Sequence, residues 1–496
     1  MSRFLVATLL AIAALALLST AGAQTLDPTY GGAGFARVDL QGTDIDLNDL
    51  VIDAKDRPTL ALQRDTRTSF VARVTPTGQA DDTFGTSGRV FVNGQIKGLF
   101  ATDDDRIYAA GRSGSDVLLV RMAESGSEAP EDGGGRWRFS IGSDGEARAV
   151  TEARPGVLAL AVRFRAGAGL RCGVLYVDED GQRIASVGAD GLVEVPGLPL
   201  CNPTAIVPYR NGVALVGDAE TGEDERSVFV ANLTRDGALR ASFGDGGVAL
   251  NGFADERSRA ADAAVAPNGD LVVAGDLAKG PIVGVLLLRF QTNGAPASFG
   301  ANGITWTPHP EQGVDFRGTT SLAIDGEGRF LVGSSVEAGR SVLPALVRFD
   351  ARGFLDPTFS DDGILTYAAP FGRSAYTDGV AVDRFGRVHG AGTAQPESGS
   401  DAAYVLRLGG GTVVGTEAAA EARALRLAPN PTRGDAWVSL EAPGTVRLYD
   451  ALGREAARTH GVGRIAVPTH GLAPGVYGVV VESEGERRTA RLTLAR

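Results

Sequence analysis

The residues able to do chemistry are few: four histidines, two cysteines and several short acidic runs in 496 residues. His309 lies between Pro308 and Pro310, His389 sits in an apolar segment, and His460 and His470 fall near the C-terminus. None belongs to an HExxH motif or to a pair at ligand spacing, so a zinc site has no support. No GxSxG lies in the strand–turn–helix context that a nucleophile elbow needs. The glycine stretches Gly133–Gly135 and Gly409–Gly411 lack the Lys-Ser/Thr of a phosphate-binding loop. Asp44-Ile45-Asp46-Leu47-Asn48-Asp49 and Asp103-Asp104-Asp105 offer oxygens to Ca²⁺ but depart from EF-hand spacing, and solvated turns are the default reading. Asp178-Glu179-Asp180-Gly181 reads as a turn. The sequence thus assigns no catalytic residue, no cofactor and no metal. A pair of carboxylates for glycoside hydrolysis, brought together from distant segments, stays open because spacing along the chain does not reveal it. Cys172 and Cys201 lack the His or acidic neighbours of a nucleophile or metal ligand. They are either a disulfide or two buried small residues, and an oxidising compartment favours the pair.

The elements that would position such residues are set by a recurring phrase. It reads LDPTYGGAGFARV from Leu26, ADDTFGTSGRVFV from Ala80, LRASFGDGGVAL from Leu239, APASFGANGI from Ala295 and LDPTFSDDGIL from Leu355. Its aromatics are Tyr30, Phe84, Phe243, Phe299 and Phe359, and two worn copies around Asp132–Phe139 and Gln182–Val193 fill the long gap. The period, roughly 51–60 residues, is that of a repeat architecture. The Asp and Thr of the phrase can hydrogen-bond local backbone and shape a turn. The aromatic can fill the space between units, and Gly34, Gly88, Gly247, Gly303 and Gly363 stand where a positive φ is expected.

Between copies, each unit carries a hairpin pattern such as DLVIDAKDRPTLALQ (Asp49–Gln63) or DAAVAPNGDLVVAG (Asp262–Gly275). A third apolar strand follows, such as SFVARVTPTG (Ser69–Gly78) or VLLLRFQTNG (Val285–Gly294), then the phrase and one more short strand. Four antiparallel strands in about 55 residues, repeated seven times, predict a seven-bladed β-propeller. The first phrase lacks preceding strands and the last unit, ending at Tyr404–Leu408, lacks a following one. The first strand therefore completes the last blade and removes an open sheet edge. A linear β-solenoid, the other repeat reading, does not explain these complementary ends.

The first 23 residues read as an export signal: Arg3, an apolar Phe4–Leu18 and the small Ala21-Gly22-Ala23 before Gln24. No later run is apolar enough to span a membrane, so the mature chain is expected to have no transmembrane segment. A net charge of −12 with no basic run excludes a nucleic-acid partner.

Residues 409–424 read as a Gly-then-Ala/Glu linker. Beyond it, Leu425–Leu440, Gly444–Ala456 and Arg464–Arg496 show short alternating strands, predicting a small Ig-like β-sandwich of about six or seven strands over 425–496. The fold class expected is thus all-β, a propeller over 24–408 followed by that sandwich.

The phrase, its hairpin and the FxxxRxxxxG-like third strand resemble the delta-60 repeat family over roughly Leu26–Leu408. That resemblance implies a secreted propeller-like module without a common activity. The tail resembles the type A C-terminal sorting domain of the type IX secretion system. Its marks are Pro429, Asn430, Pro431 and Thr432, then Tyr449-Asp450 with Leu452, Gly453 and Arg454, then Leu472 with Pro474, Gly475, Val476 and Tyr477, and a terminal strand Thr489–Leu494. It implies a Bacteroidetes-like host, passage through the periplasm, recognition by the type IX secretion machinery, removal by a sortase near the linker, and release or attachment at the cell surface.

Together these readings predict an exported, non-enzymatic propeller presenting a binding or structural surface, with an extracellular glycan or protein as ligand. The alternative is a secreted propeller hydrolase or lyase acting on polysaccharide. The central channel discriminates the two: carboxylates, His or Arg converging there from several blades favour the enzyme, and a lining of Ala, Val and Gly, which the hairpin strands suggest, favours the scaffold; three or more converging ionisable groups would overturn that view.

Overall fold

The structure, a computed structural model, describes residues 24–40, 44–130, 133–167, 169–222, 225–253, 256–297, 299–300, 304–311, 314–339, 341–360, 362–368, 372, 374–396, 399–409, 432, 436–449, 455–473, 475–483 and 486–494. It divides into two compact units, 1–411 and 412–496. Among the described residues no helix is long and apolar enough to cross a membrane.

The larger unit is a seven-bladed β-propeller. Blade 1 runs Asp46–Ile52, Pro58–Gln63, Thr68–Arg73 and Arg89–Asn93, each strand antiparallel to the next. Blades 2 and 3 repeat this order, from Gln95–Ala101 out to Gly135–Phe139 and from Ser143–Arg154 out to Leu192–Glu194. Blades 4 and 5 start at Asn202–Pro208 and Arg257–Val265, and a single parallel bridge between Arg226 and Arg257 links their sheets. Blade 6 starts at Asp315–Ile324, and blade 7 at Ser374–Ala375 and Gly379–Val382. The first strand of each blade packs on the first strand of the next, and blade 7 on blade 1, so these strands ring a common axis.

The expected closure is present. Phe35–Val38 pairs antiparallel with the third strand of blade 7, Phe35 opposite Leu406 and Val38 opposite Ala403. Leu47 N–H of blade 1 also donates to Thr393 Oγ1 of blade 7 at 3.1 Å. An edge that would otherwise be open is paired.

The repeated phrase is a device for docking blades. In its full form an Arg at the end of the third strand donates to the Asp of the phrase. Arg73 Nε lies 2.7 Å from Asp81, Arg348 Nε 2.8 Å from Asp356 and Arg407 Nε 3.0 Å from Asp27. The other carboxylate oxygen accepts the backbone N–H and hydroxyl of Thr83, Thr358 or Thr29, which fixes the turn. Each guanidinium lies over the buried aromatic of its own phrase, 4.3 Å from Phe84, 4.6 Å from Phe359 and 4.7 Å from Tyr30. The residue after the aromatic then donates its N–H to the third-strand turn of the next blade: Gly31 to Thr77, Gly85 to Ser125, Gly244 to Asn293 and Gly300 to Arg352. The glycine of that turn lies against the aromatic, so a Cβ on Gly126 would meet Gly85 N at 2.9 Å and Phe84 at 3.1 Å. Gly34, Gly88, Gly247 and Gly363 have φ between +78° and +103°, as expected, while Gly303 lies outside the described residues.

The worn copies keep the packing but not the full ion pair: blade 2 retains Arg121 over Trp137 at 5.3 Å, donating to Glu179 O and Gly134 O, and blade 3 loses both charges. Trp137 takes the aromatic's place under Gly181 and Val187 takes it under Gly237. In blade 3 the Arg position holds Tyr176, which is buried beside Val187 in one apolar cluster. Losing the Arg and the Asp together avoids leaving one buried charge unpaired.

Cys172 and Cys201 form a disulfide, both fully buried. Cys172 lies inside the third strand of blade 3, Gly169–Asp178, rather than opening it, and Cys201 immediately precedes blade 4.

The second unit presents four described strands in one antiparallel sheet, in the order Glu455–Val467, Ala436–Tyr449, Gly475–Ser483 and Glu486–Leu494. Its apolar cluster includes Val438, Leu448, Val479 and Leu492. This differs from the six or seven short strands expected: two strands run 13 and 14 residues through register shifts where several short ones were predicted. Thr432 is buried and bridges Leu494. Gly475 pairs with Leu494 in the sheet, and the buried Tyr477 donates its hydroxyl to Ala473 O at 2.8 Å. Pro429, Asn430, Pro431, Leu452, Gly453 and Arg454 lie outside the described residues, as do residues 1–23 and 410–424.

Candidate functional site

The axis of the propeller is built from a recurring irregularity. A β-bulge interrupts the first strand of blades 1 to 6 at the same place, between Leu47 and Asp49, Ile96 and Gly98, Ala147 and Ala149, Pro203 and Ala205, Ala260 and Asp262, and Thr319 and Ser321. In blade 7 the break between Ser374–Ala375 and Gly379–Val382 plays the same part. A bulge adds one residue and re-aims those beside it. The bulged residues are Asn48, Lys97, Arg148, Thr204, Ala261 and Thr320, with Asp378 in the corresponding place.

The residues just after the bulge form a second ring: Asp49, Gly98, Ala149, Ala205, Asp262, Ser321 and Gly379. Neighbouring strands approach so closely here that a Cβ on Gly98 would lie 2.8 Å from Ala149 Cα, and one on Gly379 2.8 Å from Leu50 Cβ. The three polar members staple blade to blade. Asp49 accepts Leu99 N–H at 2.7 Å and its own neighbour Leu50 N–H at 2.8 Å. Asp262 accepts Leu322 N–H at 2.8 Å and Ala263 N–H at 2.7 Å. Ser321 Oγ accepts Val380 N–H at 3.0 Å.

A third group forms a polar belt where the first strands begin. Asn48 Nδ2 donates to Ile96 O at 2.8 Å, and Lys97 Nζ donates to Gln63 Oε1 at 2.6 Å and Asn48 Oδ1 at 3.3 Å. Glu146 accepts from Arg163 at 2.9 Å and Arg148 at 3.4 Å, and both guanidiniums reach Asn202 Oδ1, at 3.3 and 3.2 Å. Asn202 Nδ2 donates to Asp218 at 3.4 Å, and Asp218 also pairs with Arg226. The belt therefore passes without a break through blades 3 and 4, with a separate link between blades 1 and 2.

The expectation of a channel lined by Ala, Val and Gly is overturned. Small residues fill four places of the second ring, but Asp49, Lys97, Arg148, Asp262 and Asp378 converge from five blades. The bulge is the physical reason: simple alternation along the strand misassigns every side chain beyond the extra residue.

These groups are partly open to the channel yet deep in the protein, and their titration reflects it. Burial, helped by the charge of Asp262, raises the Asp49 carboxyl to about 7 against its two backbone hydrogen bonds. Burial also raises Asp262 and Asp276 to about 6 each, and Asp378 to about 7 with Asp46 adding to it. Burial lowers Lys97 and Arg148, with Arg148 and Arg112 pressing on Lys97 and Arg163 on Arg148. Each raised carboxyl also accepts backbone hydrogen bonds: Asp276 from Thr319 N–H at 2.5 Å and Asp378 from Thr393 N–H at 3.1 Å.

The other sequence candidates take structural roles. His389 is fully buried in the second strand of blade 7, 3.0 Å from Asp383 and edge-on to Tyr30. Burial lowers its pKa despite that carboxylate. Burial opposes ionisation of Asp383, but bonds from His389 and Arg387 hold it at about 2. His309 Nδ1 accepts Glu311 N–H in its loop. Asp105 sits at φ +65° in a hairpin turn and pairs with Arg57 and Lys55. Asp178 accepts Asp180 and Gln182 N–H groups, the turn expected there. Among the described residues no three His, Cys, Asp or Glu side chains gather as metal ligands.

Of the axial residues only Asn48 and Asp49 were singled out from sequence, within the Asp44–Asp49 acidic run, and there for Ca²⁺ rather than for these contacts. One signal was available: Asp49 and Asp262 stand four residues before their hairpin turns, the same repeat position at which blades 2 and 7 place glycine.

No family model matches the chain, and no curated protein matches it. Among solved structures it is similar to the extracellular domain of a hybrid two-component system from B. thetaiotaomicron, at 10% identity and TM-score 0.38 over 93% of this chain. The chain spans 58% of that protein's length. It is also similar to Drosophila semaphorin 2a, at 7% identity and TM-score 0.43 over 93% of this chain and 98% of that one. A third likeness is to the β-propeller domain of the trilobed protease from Pyrococcus furiosus, at 10% identity and TM-score 0.39 over 73% and 95%.

Proposed function

We propose that this protein is an exported, non-enzymatic binding propeller that holds an extracellular glycan or protein at the mouth of its channel. Type IX secretion, directed by the C-terminal unit, delivers it. The observation that carries the reading is the polar belt: it gathers guanidinium, amide and carboxylate groups from consecutive blades at one end of the axis, where a ligand meets several blades at once. The buried disulfide supports an oxidising, extracellular setting. Against catalysis, the four carboxyls raised to about 6 or 7, Asp49, Asp262, Asp276 and Asp378, are each engaged by backbone N–H groups as structural acceptors. Deleting Leu425–Arg496 is expected to strand the protein in the periplasm; normal surface delivery without those residues would refute the sorting part. Pull-down of glycans and proteins with the mature propeller tests the binding part.

A polysaccharide hydrolase or lyase is the second reading. It is favoured by Asp49 and Asp378, at about 7, because carboxyls in that range suit proton transfer. Release of reducing ends or unsaturated products from a polysaccharide panel, lost in Asp49→Asn or Asp378→Asn, would establish it.

A further inference from the structure

We propose that the channel mouth over blades 2 to 5 binds an anionic saccharide, one carrying carboxylate or sulfate groups, through an arc of Lys97, Arg112, Arg148, Arg163, Arg226 and Arg259. This rests on the binding-propeller reading and names its ligand class. The arc gathers six cations in a chain of net charge −12, beside the carboxylates of Glu146, Asp218, Glu220 and Asp276. Four blades supply it: Arg112 stands opposite Gln95, Arg163 opposite Glu146, and Arg259 opposite Asp276 in the sheet pairing of their blades.

The cations of the arc are not all neutralised internally. Glu146 serves two guanidiniums, Arg148 and Arg163. Among the described residues Lys97 donates to the neutral oxygens of Gln63 and Asn48, whereas Arg226 is held by Asp218 and Glu220. Among the described residues Arg112 and Arg259 make neither a hydrogen bond nor an ion pair through their side chains, so their donors remain for a ligand. A guanidinium presents a planar fork that matches a carboxylate or sulfate bidentately.

The surroundings favour a saccharide over an acidic peptide. Beside the arc, together with the carboxylates of Glu146, Asp218 and Asp276, stand the amides and hydroxyls of Asn48, Gln63, Gln95, Asn202 and Thr204, which pair with sugar hydroxyls. The equivalent place in blade 7 holds a partly exposed aromatic, Tyr376. A peptide added as an extra strand has no edge to pair with, since the first strands are packed into a closed ring, and polyglutamate tests an acidic peptide held by the arginines alone.

The test is calorimetric titration of the full mature chain with three matched oligosaccharides, one bearing uronate carboxylates, one bearing sulfates and a carboxyl-reduced neutral one, and with polyglutamate. The probe variant is Arg112→Gln/Arg259→Gln, which breaks no internal ion pair, and the control is Arg352→Gln, an exposed residue in the turn after the third strand of blade 6. Binding of the uronate or the sulfated chain that weakens roughly tenfold or more in the double variant, weakens with salt and persists in the control supports the proposal; which chain binds tells the anion. Neutral-oligosaccharide binding of equal strength, or polyglutamate binding with the same loss, would overturn it while leaving a binding propeller in place. No binding by any of the four overturns it as well. Cleavage of the oligosaccharide during titration would instead sink the non-enzymatic reading beneath it.

Discussion

Replacing Asp49 by Asn tests whether the axial carboxyls are structural staples held near neutrality. In the fold, burial lifts this carboxyl from 3.8 to about 7. Below 3.8 both folded and unfolded chains are protonated and no penalty exists. Between 3.8 and 7 the unfolded chain gives up its proton first, so the folded state loses relative stability as pH rises; above 7 the loss is complete. At ~1.4 kcal/mol per pKa unit, the part falling between pH 5 and pH 8 is about 2–3 kcal/mol. The Asn variant lacks this titration. It keeps one oxygen for Leu99 N–H and loses the second acceptor, which costs a roughly pH-independent 1–2 kcal/mol. Urea denaturation of wild type and Asp49→Asn at pH 5, 6, 7 and 8 therefore gives a variant about as stable as the wild type at pH 5 and more stable than it by about 2–3 kcal/mol at pH 8. The lowered pKa of His389 acts in the opposite direction, adding stability as pH rises, but it is common to both proteins and cancels in the difference. Parallel stability curves for the two proteins across this range would show that Asp49 does not titrate near neutrality and that the account of the axis is wrong.

Phe84→Ala removes the fully buried aromatic under Arg73 and should cost about 3–5 kcal/mol in denaturant titrations; a loss below 1 kcal/mol would show that the phrase does not dock blades. Cys172→Ala/Cys201→Ala opens a crosslink of sequence separation 29 and should lower stability by about 3 kcal/mol, with reductant then having no further effect. Gly98→Ala places a methyl against the backbone of Ala149 and should destabilise the ring, read as a lower Tm, whereas Ala149→Gly should cost less. Converting Glu146, Arg148 and Arg163 together to Met, Met and Leu should leave stability within about 1–2 kcal/mol of wild type while abolishing ligand capture at the mouth; strong destabilisation would mean that the belt is structural.

The blade count and ring closure were legible because their determinants are local and repeat. Tyr30, Phe84, Phe243, Phe299 and Phe359 recur with the turn residues around them, and the missing strands at the two ends of the repeat run complement each other. Even the worn copies were found, though not that Trp137 and Val187 stand in for the aromatic, because that substitution is defined by which glycine of the next blade lies over it. The channel was misread. Each hairpin strand looks apolar and small in isolation, and the bulge that shifts Asp49 and Asp262 into the second ring leaves no mark in hydrophobic alternation. The belt was invisible for another reason: Lys97, Arg163 and Arg226 come together only through ring geometry, and nothing in their sequence spacing declares it.

A sevenfold repeat can close with seven identical inner strands, so departures from identity near the axis call for a reason. Some departures serve closure: Gly98 and Gly379 stand where the neighbouring strand leaves no room, and Asp49, Asp262 and Ser321 spend their acceptors on the next blade's backbone. The belt is different in kind. Gathering Glu146, Arg148, Arg163, Asp218 and Arg226 in a half-buried place carries a desolvation cost that apolar residues of similar volume would avoid. The same chain shows that its units can shed charges, since blade 3 replaces the Arg and Asp of the docking phrase with Tyr176 and Ile184. Charges kept at the mouth of the axis, beyond what docking or closure uses, therefore mark the part of this propeller shaped by something other than its own stability.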